Sequence, residues 1–205
     1  MPNTEKMSIT CLDFEGVLIP EIWEGLAHQS GIDELRLTTR DIANYDELMS
    51  YRLKICNQNK LTLRDIHQAV EQMEPLDGAF EFLSWLRKRN EVIILSDTFR
   101  EFIEPLLHKL QQPTVFCHFL QIDDNLRIVN YCLRQKDQKR HAVKALKSLN
   151  YSVTAIGDSY NDISMLTEAD HGIFFRPTKK IADEYPEFLV TDKFETLKKE
   201  LEQLK

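Results

Sequence analysis

The chain has 205 residues and a formal charge of −7, which argues against a nucleic-acid-binding surface. Its 42% hydrophobic and 29% charged residues match an ordinary globular protein, long enough for one domain and a sizeable insertion. No apolar run reaches membrane-spanning length and residues 1–7 carry no secretory pattern, so the expected compartment is the cytoplasm.

The first apolar segment, residues 9–14, reads as a buried strand that ends on Asp13, with Glu15 two residues on and Gly16 at the turn. Residues 20–74 hold no strand candidate. They offer amphipathic helices over 21–29, 45–58 and 63–73, the last opened by a capping box at Thr62 and Asp65. A strand–helix rhythm follows: helix 78–89, strand 92–95, helix 99–110, short strands 115–122 and 127–134, helix 141–149, strand 153–156, helix 161–169, and short strands 172–175 and 188–190. Segment 127–134, after Asp123-Asp124-Asn125, has the look of a hairpin-like excursion. Alternation of this kind predicts a parallel α/β sheet with helices on both faces. The helical stretch is too long for a simple crossover, so we read 1–19 and 75–205 as the core domain and 20–74 as a helical cap inserted over the crevice at the strand ends. Cys11, Cys56, Cys117 and Cys132 lack metal-knuckle spacing, and buried, reduced thiols are expected.

Three strand ends carry the chemistry. The first supplies Asp13 and Glu15, the second Ser96 and Asp97, and a third Asp158 within Gly157-Asp158-Ser159-Tyr160-Asn161-Asp162. Taken singly, each acid reads more simply as a turn residue or helix cap; Ser96, Asp97 or Thr98 could cap the next helix, and Asp158 or Asn161 another. Together, Asp13, Glu15, Asp158 and Asp162 crowd one volume and need a counter-charge. An all-oxygen set suits a hard divalent cation, Mg²⁺, and phosphoryl transfer needs one. The protein's own cation is expected at Lys139, with Asp137 as N-cap placing Lys139 and Arg140 in a first helical turn; Lys136 competes for the role.

These segments resemble the haloacid dehalogenase superfamily of phosphotransferases: Asp13-Phe14-Glu15-Gly16-Val17 its first motif, Ser96-Asp97-Thr98 its second, the Lys139 region its third and Gly157 to Asp162 its fourth. Within it the chain is similar to phosphoserine phosphatases, and most to a bacterial branch that also transfers phosphate to homoserine. That similarity runs through residues 11–23, 38–42, 94–99 and 133–137, and Glu15, where an aspartate is commoner, belongs to that branch. The resemblance implies a Rossmann-like parallel core with a small helical cap of the C1 type. It implies Asp13 as nucleophile, Glu15 as general acid/base, and Mg²⁺ on Asp13, the Glu15 carbonyl and Asp158. It further implies Ser96, Lys139 and the Asp97 N–H on the phosphoryl oxygens, and Asn161 on substrate. Asp162 would position Lys139 or a metal-bound water. In the cap, Glu21 would meet a substrate ammonium and Arg52 its carboxylate; read without the resemblance, Glu21 is a first-turn helix acid and Arg52 a solvated helix-face residue. The implied partners are O-phosphoserine and a homoserine acceptor, with no nucleic acid or membrane, in a monomer or homodimer. A phosphatase for another small phosphomonoester and a phospho-accepting signalling domain are the competing readings; Glu15 and the cap argue against the second.

Overall fold

The computed structural model describes residues 6–38, 41–42 and 44–204. The resemblance at Thr39 and Arg40, and most of the leader reading at 1–7, therefore lie outside the described residues.

Seven strands form one open sheet in the order β4-β3-β2-β1-β5-β6-β7. They are β1 (Met7–Leu12), β2 (Glu91–Phe99), β3 (Val115–Ile122), β4 (Ile128–Cys132), β5 (Tyr151–Gly157), β6 (His171–Phe175) and β7 (Leu189–Thr191). All neighbours pair in parallel except β3 and β4, the expected hairpin, which is antiparallel. β1 is central, with Ile9 beside Val153 on one side and Glu91 on the other. Alternation along the buried strands feeds two cores. Leu12, Ile94, Ile156 and Phe175 pack on one face of the sheet, and Ile9, Cys11, Leu95, Val153 and Phe174 on the other. This bears out the open α/β sheet covered on both faces.

Helices α4 (Ala79–Arg87), α5 (Arg100–Lys109) and α9 (Phe194–Gln203) pack into the first core, and α6 (Gln138–Ser148), α7 (Ile163–Glu168) and α8 (Lys179–Glu184) into the second. The sequence reading omits α8 and α9. It also ends β2 four residues early, at Leu95, where the extended backbone continues to Phe99. Between β1 and β2 lie α1 (Ile22–Ser30), α2 (Tyr45–Gln58) and α3 (Leu63–Glu71). Thr62 caps α3 in the expected box with Asp65, which lies over the Thr62 N–H at 2.7 Å. Their apolar faces join the first core: Trp23 of α1 meets Phe102 of α5 edge-on at 5.3 Å. The β3–β4 hairpin holds α3 and α2, through Leu63 N–H to the Leu126 carbonyl and Tyr131 hydroxyl to Asp46.

Among the described residues, no helix is long and apolar enough to cross a membrane. All four cysteines are free; Cys11 and Cys56 are buried, but Cys117 and Cys132 are only half-buried because they lie on the partly covered hairpin.

Candidate active site

The site forms where β1, β2 and β5 end side by side. After Leu12, the Asp13 N–H still reaches the Ile156 carbonyl at 2.8 Å, so the carboxylate leaves the sheet at its edge. The chain then closes a tight loop. Leu18 and Ile19 N–H groups return to the Phe14 carbonyl, and Phe14, Val17, Leu18 and Ile19 are fully buried beneath it. Gly16 carries the turn at φ +77°, and a Cβ there would stand 2.5 Å from the Asp158 carboxyl carbon. The glycine is what lets the β1 loop and the β5 carboxylate come together. The loop also turns Glu15 toward α1, where its Oε1 accepts the Ile22 N–H at 2.8 Å.

Lys139 lies at the centre and is 2% exposed. Its Nζ is 2.7 Å from Asp162 Oδ1, 2.9 Å from Asp13 Oδ1 and 3.6 Å from Asp97 Oδ2. Lys136 is exposed and takes no part in this cluster. Asp137 stands at the head of α6 as expected, but its side chain does not cap the helix. Its backbone is left-handed, and its carboxylate holds Ser164 and Arg140 instead. The simpler capping readings fail as well. Phe99, without a side-chain cap, opens α5, and Ser159 paired with Asp162 opens the turn at Tyr160–Asp162. Ser96 is buried, and its Oγ accepts the Thr98 N–H at 3.3 Å.

Oxygens of Asp13, Asp158 and Asp162 all lie within 4.8 Å of one another. Asp162 is already engaged: Oδ1 takes Lys139, and Oδ2 takes the Asp158 and Ser159 N–H groups at 2.9 and 3.1 Å. Burial, then repulsion from Asp162, pushes Asp13 well above the usual carboxylate range despite Lys139. Burial and Asp162 likewise raise Asp158 to about 7. Burial and Glu21 raise Glu15 to about 8, against the Ile22 N–H. Lys139 is raised too: burial opposes its charge, but Asp13, Asp162 and Asp97 outweigh it and hold it firmly as an ammonium. Carboxyls left this protonated for want of positive charge, with hard oxygen donors and a glycine-cleared approach, fit a divalent cation.

Of the two residues assigned to a substrate head group, Glu21 is exposed at the start of α1 and close enough to bias Glu15 and Asp158. Arg52 is not the solvated helix-face residue of the simpler reading. It is 8% exposed, its guanidinium lies 4.6 Å over the Trp23 ring, and Nη2 donates to the Leu37 carbonyl at 2.8 Å. Its Nε is buried without a hydrogen-bond partner among the described residues. Burial pulls its pKa down, with Glu15 foremost among the groups opposing that.

The sequence reading missed Tyr45, His118 and Gln138. Tyr45 on α2 reaches the Asp97 carbonyl at 3.4 Å, and Gln138 and His118 are buried against the Asp97 carboxylate. Position 138 could have been flagged, since it opens the helix that carries Lys139. No local pattern marks His118 or Tyr45, which arrive from a hairpin and from an inserted helix.

Comparison with known proteins places the chain in a family. A family model described as haloacid dehalogenase-like hydrolase matches residues 18–167. The chain is 53% identical over 194 residues to "Phosphoserine phosphatase ThrH" of Pseudomonas aeruginosa, covering 95% of each. It is 52% identical to "Phosphoserine phosphatase" of Pseudomonas syringae pv. tomato, covering 95% of this chain and 82% of that one. Among solved structures, a phospho-aspartyl intermediate analogue of phosphoserine phosphatase superposes with a TM-score of 0.74 at 21% identity, over 92% of this chain and 95% of that one. The chain belongs to the haloacid dehalogenase-like hydrolase family.

Proposed function

We propose that this chain is a phosphoserine phosphatase that works through an aspartyl-phosphate on Asp13 and also passes the phosphoryl group to homoserine. One observation carries the reading: Asp13 is in contact with a fixed ammonium, Lys139, and is followed two residues on by a Glu15 carboxyl that holds its proton to about pH 8. The high identity to proteins named phosphoserine phosphatase supports the choice of substrate.

In the first step an Asp13 oxygen attacks phosphorus and the bond from phosphorus to the serine oxygen breaks. Glu15 gives its proton to that oxygen, so serine leaves as the neutral alcohol. In the second step Glu15, now a carboxylate, takes a proton from water or from the homoserine hydroxyl. The oxygen so activated attacks phosphorus and frees Asp13. Mg²⁺ held by Asp13, the Glu15 carbonyl and Asp158 would offset charge on the transferring group. Lys139, Ser96 and the Asp97 N–H would hold the phosphoryl oxygens, Asp162 would fix Lys139, and Asn161 would touch substrate.

Residues 20–74 act in this reading as a cap whose charges sort substrates. Among the described residues Arg52 Nε has no hydrogen-bond partner, which supports a carboxylate ligand there, since a planar anion would satisfy it. Glu21 would take the ammonium. The setting is the cytoplasm, with small-molecule partners, in a monomer or homodimer.

The test is incubation with O-phosphoserine, Mg²⁺ and homoserine, with inorganic phosphate and phosphohomoserine measured together. Both products are expected. Phosphate alone would remove the transferase half, and turnover only of other phosphomonoesters would remove the substrate assignment.

A further inference from the structure

We propose that His118 and Asp97 form a positioning pair for the phosphoryl site, with Gln138 as the second anchor of the carboxylate. The proposal rests on the phosphoryl-transfer roles given above to Lys139 and Asn161, and it assigns to the Asp97 side chain a task separate from its backbone N–H.

An anion beside a phosphate site is unfavourable unless it is used. Asp97 borders a cavity of about 440 Å³ also lined by Tyr45, His118, Lys136 and Asn161. Burial would raise its carboxyl, but Lys139 first, then His118, Gln138 and Asn161, hold it well below the usual range. Each of its two oxygens has a defined set of neighbours. Oδ1 accepts Gln138 Nε2 at 3.0 Å and faces His118 Nε2 at 3.6 Å. Oδ2 accepts Asn161 Nδ2 at 3.0 Å and lies 3.6 Å from Lys139 Nζ.

The anchors are themselves oriented. His118 Nδ1 accepts the Arg134 N–H at 3.0 Å, so the ring proton sits on Nε2 and points at Asp97. The ring is 4% exposed and packs 6.3 Å from Phe99. Gln138 Oε1 accepts Arg134 Nε and Nη2 at 3.1 and 2.8 Å, which turns its amide N–H groups toward Asp97 and the Ser96 carbonyl.

Two consequences follow for the site. A carboxylate only accepts hydrogen bonds, so Asp97 fixes the Asn161 amide with its NH₂ end toward Asp97, while Asn161 Oδ1 takes the Ser159 hydroxyl. Asn161 is thereby set to offer its second N–H, the right polarity for an anionic phosphoryl oxygen. The second consequence concerns Lys139. Attraction grows as distance falls, so an unanchored Asp97 would close on the ammonium and draw it from Asp13. His118 and Gln138 hold Asp97 back at 3.6 Å and leave Lys139 to Asp13 and its phosphoryl group.

A double-mutant cycle tests this. Wild type is first assayed on O-phosphoserine; if that substrate fails, the cycle runs on whichever phosphomonoester wild type turns over, so the substrate reading can fail separately. His118→Phe keeps the packing on Phe99 and removes the donor. It is expected to lower kcat by roughly tenfold with KM changed less than about twofold, and to have less than about a twofold effect in an Asp97→Ala background. His118→Gln, which keeps an N–H within reach, should recover part of the loss and substitutes for His118→Phe if that variant does not fold. In wild type, ¹⁵N NMR should show the Nε2–H tautomer. Equal losses in both backgrounds, an unchanged kcat in the single variant, or the Nδ1–H tautomer would overturn the pair.

Discussion

At the residue scale, the proposed catalytic roles set two carboxyls on one loop in contrast. Asp13 abuts Lys139 at 2.9 Å, whereas Glu15 is turned away to the Ile22 N–H at 2.8 Å. The extra methylene of a glutamate is what spans from the β1 loop to the helix end. Glu15→Asp should withdraw the carboxyl from that N–H and lower the ratio of phosphohomoserine to phosphate; an unchanged ratio at unchanged activity would make the glutamate a lineage marker. Arg52→Ala removes the buried cation proposed to bind a substrate carboxylate. A charged hydrogen-bond partner contributes about 1.5–3 kcal/mol, so KM for O-phosphoserine should rise roughly 10- to 150-fold while KM for an aryl phosphate barely moves. Equal rises for both substrates would take Arg52 off the binding list. The acids at the strand ends were legible because their chemistry is spelled out locally, on the residue that ends a buried run. The burial of Arg52 was not, because it is made by Trp23 and Leu37, 29 and 15 residues away in the chain.

Elements were readable where one period dominates. β1 and β5 are buried toward their C-terminal ends and carry only small hydroxyl residues between their apolar ones, and α3 announces itself by the Thr62–Asp65 box. Replacing Thr62 with Ala breaks that box and should cost about 1 kcal/mol in urea denaturation with little change in the slope. A loss confined to activity would instead point to a direct part in the site. The end of β2 is hidden from the sequence for a physical reason. Ser96, Asp97 and Thr98 look like a turn, yet β3 pairing resumes at Phe99 opposite His118 after an irregularity, so extended backbone carries the polar residues across the site. Helix α9 is legible in the spacing of Phe194, Leu197 and Leu201, all of them buried. The hairpin's hold on α2 and α3 is a tertiary matter, set by Tyr131, Asp46, Leu63 and Leu126, and no local pattern could disclose it.

For the whole molecule, the charge cluster links stability to pH and to metal. Glu15 and Asp158 are held at about 8 and about 7, above the 4.5 and 3.8 of unfolded carboxyls, so without metal the folded chain keeps protons that the unfolded chain releases. Their stabilising contribution is complete below about pH 4 and disappears as pH rises through about 7 and 8. The depressed Asp97 acts oppositely, but only in the acid range below its ordinary value of 3.8. Metal-free protein should therefore melt lower at about pH 8 than at about pH 5, and added Mg²⁺ should raise Tm more at the higher pH, because binding must displace those protons. A metal effect that is larger at the lower pH would refute the linkage. The central claim is that Asp13 forms the phosphoenzyme, and turnover of O-phosphoserine by Asp13→Asn tests it most directly. With circular dichroism and Tm showing an intact fold, kcat should fall by roughly 10³-fold or more, since the amide cannot attack phosphorus. Turnover within a few-fold of wild type would contradict the account.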